Sequence, residues 1–201
     1  MEQPGLRERK KAETSRRIWL AAMQLFVERG YDAVSTAEIA AAADVSKMTL
    51  FNYFRTKEDL VMLPMEDHVE DLATVVRGRA DGETPVAALR RHFLAGLAER
   101  DPITGLSDRR FFLDAQRLVI GTPVLLLRAL HLHRRRAEAL AKALAEPGEP
   151  GPFELVRAAQ IVGVLSALIE HNTGRMLAGE KADEVHPEAV ALAERAFALL
   201  S

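Results

Sequence analysis

Ser46, Lys47, Met48, Thr49 and Asn52 gather within seven positions the side-chain types that hold and read a nucleic-acid duplex. An asparagine amide can pair with adenine through two hydrogen bonds, a methionine can touch a thymine methyl, and hydroxyls and ammonium groups suit phosphates and base edges. Their spacing places them in the first turns of one short helix, the end that meets base edges when a helix enters the major groove. Ten residues earlier Thr36 occupies the first turn of another helix start. Free backbone N–H groups and the helix dipole favour a phosphate there, and the hydroxyl adds a donor.

Such side chains need short, firmly started helices. Ser35 with Glu38, Ser46 with Thr49 and Thr56 with Asp59 each set a small hydroxyl three residues before a polar group that can reach back, which is capping-box spacing. Ile39, Ala40 and Ala43 give the first of these helices an apolar face, and Leu50, Phe51 and Phe54 give one to the second. With a tight turn at Ala43-Asp44-Val45 between them, the pair has the layout of a helix-turn-helix. A preceding helix is predicted from Thr14 to Arg29, where Ile18, Ala22, Leu25 and Phe26 share one face and Gly30 caps the end. Its role is to roof the two short helices.

The remaining chain also reads as helical, because the alternation of strands is missing and Gly and Pro punctuate rather than accumulate. A helix is predicted from Thr56 toward Arg79 with a kink near Pro64, and another from Pro85, capped by Thr84, to about Glu99. Thr122-Pro123 divides two helices between Asp108 and Glu146, and the segment EPGEPGP is the clearest linker. Phe153 to Ala178 makes a helix whose centre, IVGVLSALI at 161–169, is apolar nearly all round, so one side is expected against its own subunit and the other against a partner. Pro187 is expected to open the last helix, where Val190, Ala193, Phe197 and Leu200 form a stripe. Ile161, Val164, Leu165, Leu168, Val190 and Phe197 are thus the candidate dimer-interface residues, in a bundle of two helices from each of two chains.

Composition limits the alternatives. The 201 residues are 48% apolar, enough for a sizeable core, and contain no cysteine, which removes disulfides and thiolate metal sites. No run reaches the length of a membrane span and MEQPGLRERKK lacks a signal-peptide core, so a cytoplasmic protein without a membrane partner is expected. The net charge of −2 divides into +1 over residues 1–60 and −3 over the rest, with +3 in the first seventeen, which suggests a basic N-terminal arm. The histidines are scattered, and His131 and His133 point in well-separated directions on a helix. With no nucleophile elbow or Gly-rich phosphate loop, no catalytic residue, metal or cofactor is expected. Arg134-Arg135-Arg136 is most simply a solvated helix face.

The run EIAAAADVSKMTLFNYFRTKEDL, preceded by RRIWLAAMQLFVERGYDAVS, resembles the DNA-binding signature of the tetracycline-repressor (TetR) family over about residues 14–62. The resemblance implies an all-α fold of about nine helices. An N-terminal three-helix DNA-binding domain with a helix-turn-helix, residues 1–57 with the basic arm, would precede a C-terminal helical bundle, residues 58–201, for ligand binding and dimerisation. It implies a homodimeric transcriptional repressor or activator, with a repressor the expectation, on a palindromic double-stranded DNA operator and released by a small hydrophobic ligand. Thr49, Tyr53 and Lys57 look like the family's phosphate contacts, leaving Lys47, Met48 and Asn52 to read sequence. Phe93, Phe111, Phe112, Leu126, Leu130 and His171 lie on helices that surround the ligand cavity in the family. Three residues depart from the usual pattern. Asp44 and Met48 stand where Gly is frequent, and Phe51 replaces a common Tyr. A rival reading is a helical enzyme or protein-interaction module that keeps the head as a scaffold.

Overall fold

The computed structural model describes residues 5–200, and among these every regular element is helical. In chain order they are α1 (Leu6–Arg29), α2 (Thr36–Ala42), α3 (Lys47–Tyr53), α4 (Asp59–Glu66), α5 (Asp71–Arg77), α6 (Pro85–Glu99), a 3₁₀ turn at Pro102–Thr104, α7 (Arg110–Gly121), α8 (Pro123–Ala145), α9 (Pro152–Leu177) and α10 (Ala182–Ala198). The chain divides into two compact units. One runs to Pro64 and takes in Arg117–Arg128; the other comprises Met65–Gln116 and the chain from Ala129 onward.

The first unit is closed by apolar faces at helical spacing. Ile18, Ala22 and Phe26 of α1 are buried with Ile39 and Ala40 of α2, Leu50 of α3, and Leu60 and Met62 of α4. The start of α1 differs from expectation. The helix begins at Leu6 rather than near Thr14, because the polar run 8–13 contains no helix breaker and simply extends the helix into solvent. The arm is therefore helical from Leu6, and its first four residues lie outside the described ones. Gly30, at φ 85°, ends the helix and donates its N–H to Phe26 O.

Beyond the head, Pro64 has the larger effect. A single kinked helix from Thr56 to Arg79 was the sequence expectation; instead α4 stops at Glu66 and α5 begins at Asp71. Pro64 cannot donate to the carbonyl of Leu60, and the chain passes into turn bonds of the i,i+3 type, from Val69 N to Glu66 O at 3.1 Å. If α4 and α5 are taken as one interrupted helix, nine helices remain.

The second unit surrounds α9. Ala158, Ile161, Val162, Leu165, Leu168 and Met176 are buried on its inner side with Leu89, Phe93 and Leu97 of α6 and Val185, Ala189, Ala193 and Phe197 of α10. Phe93 and Phe197 meet with ring centroids 6.1 Å apart. The 3₁₀ turn is fastened to α9 by Asn172 Nδ2, which donates to Thr104 O at 2.9 Å. Gly105 follows at φ 75°, so close to α9 that a Cβ would stand 2.3 Å from Ile169 O. Only glycine satisfies both the left-handed conformation and this approach.

Pro187 does not open the last helix. It lies inside α10, which starts at Ala182 where the backbone N–H meets Asp108 Oδ2 at 3.3 Å. The forfeited bond would have joined Pro187 to the carbonyl of Asp183. Both residues are exposed, so water can serve that carbonyl and the interruption is tolerated.

Candidate nucleic-acid interface

The two short helices α2 and α3 are fixed by bonds their own sequence supplies. Ser35 closes a complete capping box at α2: Glu38 N donates to its Oγ at 3.2 Å and Ser35 N donates to Glu38 Oε2 at 2.9 Å. The bonds from the Ser35 backbone and hydroxyl, with Arg29 at 2.8 Å, hold the Glu38 carboxyl at about 2. At the other end of α2 Asp44 adopts φ 51°. Its N–H donates to Ala41 O and that of Val45 to Ala40 O, the two bonds of a Schellman cap. Asp thus serves as the left-handed residue where glycine is usual, because its short polar side chain tolerates that conformation. One residue later Ser46 accepts from Thr49 N at 3.0 Å and starts α3.

That geometry leaves an outward surface on α3. Ser46, Lys47, Met48 and Asn52 are exposed, Met48 by 74% of its area, while Leu50 is fully buried beneath them. Met48 and Asn52, four residues apart, share one face of the helix. Beside them Lys47 Nζ lies 5.9 Å from the ring centroid of the partly exposed Phe51. Thr36, Thr49 and Tyr53 are half-buried at the edges of this surface, and Thr49 Oγ1 is 2.9 Å from Ser46 Oγ.

Lys57 is placed otherwise than a free phosphate contact would be. Its Nζ donates to Tyr31 O at 2.5 Å and stands 4.2 Å from the Tyr31 ring centroid and 5.6 Å from that of Phe26. The ammonium thus ties the segment after α3 back to the loop after α1. Tyr31 in turn donates its hydroxyl to Glu58 Oε1 at 2.9 Å; burial first, then this carboxylate, pushes the phenol pKa upward.

The strongest tether was not visible in the sequence. Asp59 receives Arg55 N at 2.9 Å, Thr56 N at 3.1 Å and the Thr56 hydroxyl at 2.9 Å, and Arg128 of α8 pairs with it at 2.5 Å. Burial of this carboxyl acts to raise its pKa, but the bonds from Thr56 and Arg128 prevail and hold it below the usual range. Capping-box spacing pointed to the Thr56–Asp59 half of the arrangement; Arg128, far along the chain, carried no local signal.

The residues expected around a ligand cavity are mostly elsewhere. A cavity in the second unit, partly open to solvent, is lined by Phe93 and also by Leu165 and Ser166 of α9 and Arg136 of α8. Phe112 lines a separate small cleft, and Phe111 packs edge-on against it with centroids 5.6 Å apart. Leu126, Leu130 and His171 are exposed on their helices. Of the six candidates only Phe93 lines this cavity, to which α7 contributes no residue, because helix rotation and packing decide which side chains face inward. The same applies to the dimer candidates. Ile161, Leu165, Leu168 and Phe197 are buried in the protomer's own core and Val164 and Val190 are half-buried, so the apolar stripe that the sequence offered to a partner is occupied by α6 and α10. His133 Nδ1 lies 2.7 Å from Ser166 Oγ, and no group of three or more His, Asp or Glu able to hold a metal occurs among the described residues.

A helix-turn-helix under a roofing helix, with an outward face of amide, thioether and ammonium, defines a protein built to dock a short helix in the DNA major groove. The family model described as "Bacterial regulatory proteins, tetR family" matches residues 18–62. The HTH-type transcriptional regulator TcmR of Streptomyces glaucescens is 32% identical over 143 residues, 71% of this chain and 63% of that protein. The chain thus spans less than two thirds of the curated relatives it matches. Two solved structures share the fold. NalD, the secondary repressor of the MexAB-OprM multidrug efflux pump in Pseudomonas aeruginosa, aligns with a TM-score of 0.61 at 17% identity, over 92% of this chain and 97% of that one. A TetR-family regulator from Streptomyces coelicolor A3 aligns with 0.57 at 21%, over 98% and 99%. Residues 18–62 thus carry the DNA-binding module of the tetR family of bacterial regulatory proteins, and the whole chain is similar to regulators of that family.

Proposed function

We propose that the protein is a cytoplasmic transcriptional repressor that binds a palindromic operator as a homodimer and releases it when a small hydrophobic molecule enters the second unit. The observation that carries the reading is the exposed face of α3, where Lys47, Met48 and Asn52 project from a helix capped at its start and anchored through buried Leu50. Ser46, Thr36, Thr49 and Tyr53 flank that face as backbone contacts. Lys57 adds positive charge while bracing the segment after α3.

One head covers too little DNA for tight specific binding. A single small module buries about 600–1,000 Å² of its surface on a duplex, so two are needed. The second copy is supported by the outer side of α9, a helix of 26 residues whose most apolar stretch has a mean hydropathy of 1.5 and is only 28% buried. By length and composition it could also cross a membrane, but its inner side belongs to a packed core. Val156, Gln160, Gly163, Ala167 and Gly174 form the outer stripe, and a Cβ at Gly163 or Gly174 would meet nothing within 4 Å. Small residues at helical spacing let another helix approach closely. The interface proposed is this outer stripe with the exposed side of α10, the reverse of the face the sequence pattern suggested.

The test is operator binding by fluorescence anisotropy, with the site obtained by selection from random DNA. With roughly six to ten phosphates contacted per dimer, affinity falls on the order of 10³–10⁵ between 50 and 200 mM salt. Asn52→Ala relaxes the preference at one base pair of each half-site by about 1–3 kcal/mol. Affinity that ignores salt, or a sequence preference unchanged by Asn52→Ala, refutes the reading.

A further inference from the structure

Three consecutive arginines on α8 have different surroundings. Arg134 Nε donates to Glu138 at 2.9 Å and Arg135 pairs with Glu66 at 3.6 Å, as surface arginines do. Arg136 instead lines the cavity of the second unit, and its Nε is buried with no hydrogen-bond acceptor. The acidic groups nearby are engaged. Asp71, whose charge acts on Arg136, lies 2.7 Å from His68 Nδ1, and Asp101 accepts from Ile103 N at 3.0 Å. His92 is exposed and His133 is bonded to Ser166. Asp71 and Asp101 line the same cavity as Arg136, and against this polar corner stand Leu72, Phe93, Val162, Leu165 and Ile169.

A buried donor without an acceptor is costly, and a guanidinium more so, unless something else supplies the acceptor. The donor is planar and cationic and the facing wall is apolar. We propose that the cavity takes a compact apolar molecule bearing a carboxylate, with the carboxylate on Arg136 and the apolar body against Phe93, Leu165 and Ile169. The guanidinium fork matches a carboxylate in both charge and geometry, whereas an ammonium would meet like charge and a neutral carbonyl would satisfy only the hydrogen bond. The inference rests on the reading that a small molecule enters the second unit, and names its class.

Isothermal titration of the full chain with 2-naphthoate, 2-naphthamide and 2-naphthylmethylammonium tests it. The carboxylate is expected to bind about tenfold or more tightly than the amide, and the ammonium not to bind measurably. In Arg136→Met, which keeps an unbranched apolar stem and removes the guanidinium, the acid and the amide should become equal. Arg136→Lys, which keeps the charge and loses the fork, should fall between and carries the test if the Met variant does not fold by circular dichroism. Equal or better binding of the ammonium, binding of none of the three, or carboxylate affinity unchanged in both variants overturns the proposal. A separate arm adds the bound carboxylate to the operator complex. Binding without loss of operator affinity upholds the ligand class and removes the release mechanism.

Discussion

Asp59→Ala tests whether the segment after the reading helix is positioned by one carboxylate. Asp59 is 11% exposed and accepts two backbone amides and a hydroxyl, while Arg128, 28% exposed, pairs with it at 2.5 Å. Hydrogen bonds to a charged group contribute about 1.5–3 kcal/mol, and removing one partner of a well-buried pair costs about 3–5 kcal/mol. Arg128 retains some solvent, which places the expected loss lower, at about 2–4 kcal/mol. Domains of 60–100 residues shift by about 4–8 °C per kcal/mol, so the head should melt on the order of 10–30 °C lower. The only tryptophan, Trp19 on α1, lies in the same unit, so its fluorescence reports that unit while circular dichroism follows the whole chain. A double-mutant cycle with Arg128→Ala should return a coupling of about 1–2 kcal/mol. The pH dependence has a definite sign. A carboxyl whose folded pKa is depressed contributes stability fully above its unfolded value, near 3.8, and loses it as pH falls through the lower folded value. The wild-type advantage over Asp59→Ala should therefore be constant near neutrality and shrink only below about pH 4. A Trp19 transition moved by less than about 0.5 kcal/mol would refute the argument.

Lys57→Ala should lower the Trp19 transition by about 1–3 kcal/mol as well as weaken operator binding, because the ammonium bonds Tyr31 O and faces two rings; loss of binding with an unmoved transition would make it a phosphate contact alone. Gly163→Leu should act in opposite directions on protomer and dimer. The helix gains up to about 1 kcal/mol of intrinsic propensity in open space, while sedimentation shows monomers; a dimer of unchanged affinity would exclude the outer stripe of α9. Glu38→Gln should remove a stabilisation that is fully present above about pH 4.5 and lost as pH falls toward about 2, so the difference between wild-type and variant melting points should vanish near pH 2. A difference that persists there would mean the cap does not depend on the carboxylate.

Sequence legibility followed the range of the interaction. The caps at Ser35, Ser46 and Thr84 and the turn at Asp44 were legible because donor and acceptor lie within a few residues, and a hydroxyl or a short polar side chain at each helix boundary records them. Features set by absence were less so. The polar run before Thr14 has no apolar face to announce a helix, yet nothing in it stops one. Pro187 looked like a helix start because proline is favoured there, but the start was fixed by Asp108, more than seventy residues away. The lining of the cavity and the burial of Ile161, Leu165 and Phe197 depend on which neighbour fills each side of a helix, and a helix apolar nearly all round does not specify its rotation.

The least legible residue, Arg128, changes how the head is understood. By spacing alone α1 to α3 form a complete three-helix module, yet the compact unit also takes in Arg117–Arg128, and its arginine completes the coordination of Asp59. The segment Arg55–Glu58, directly after α3, is thereby held by Lys57 on Tyr31, by Tyr31 on Glu58 and by Arg128 on Asp59. Two of these bonds come from neighbouring sequence and would exist in an isolated head; the third belongs to a helix that continues without interruption to Ala145 and carries Arg136 eight residues on. The ligand proposed for Arg136 would shift operator binding only by its differential affinity for two arrangements of the protein. The Arg128–Asp59 pair is thus a contact of the head that the sequence around α3 does not supply, and its coupling, about 1–2 kcal/mol by the double-mutant cycle, measures how far the head depends on it.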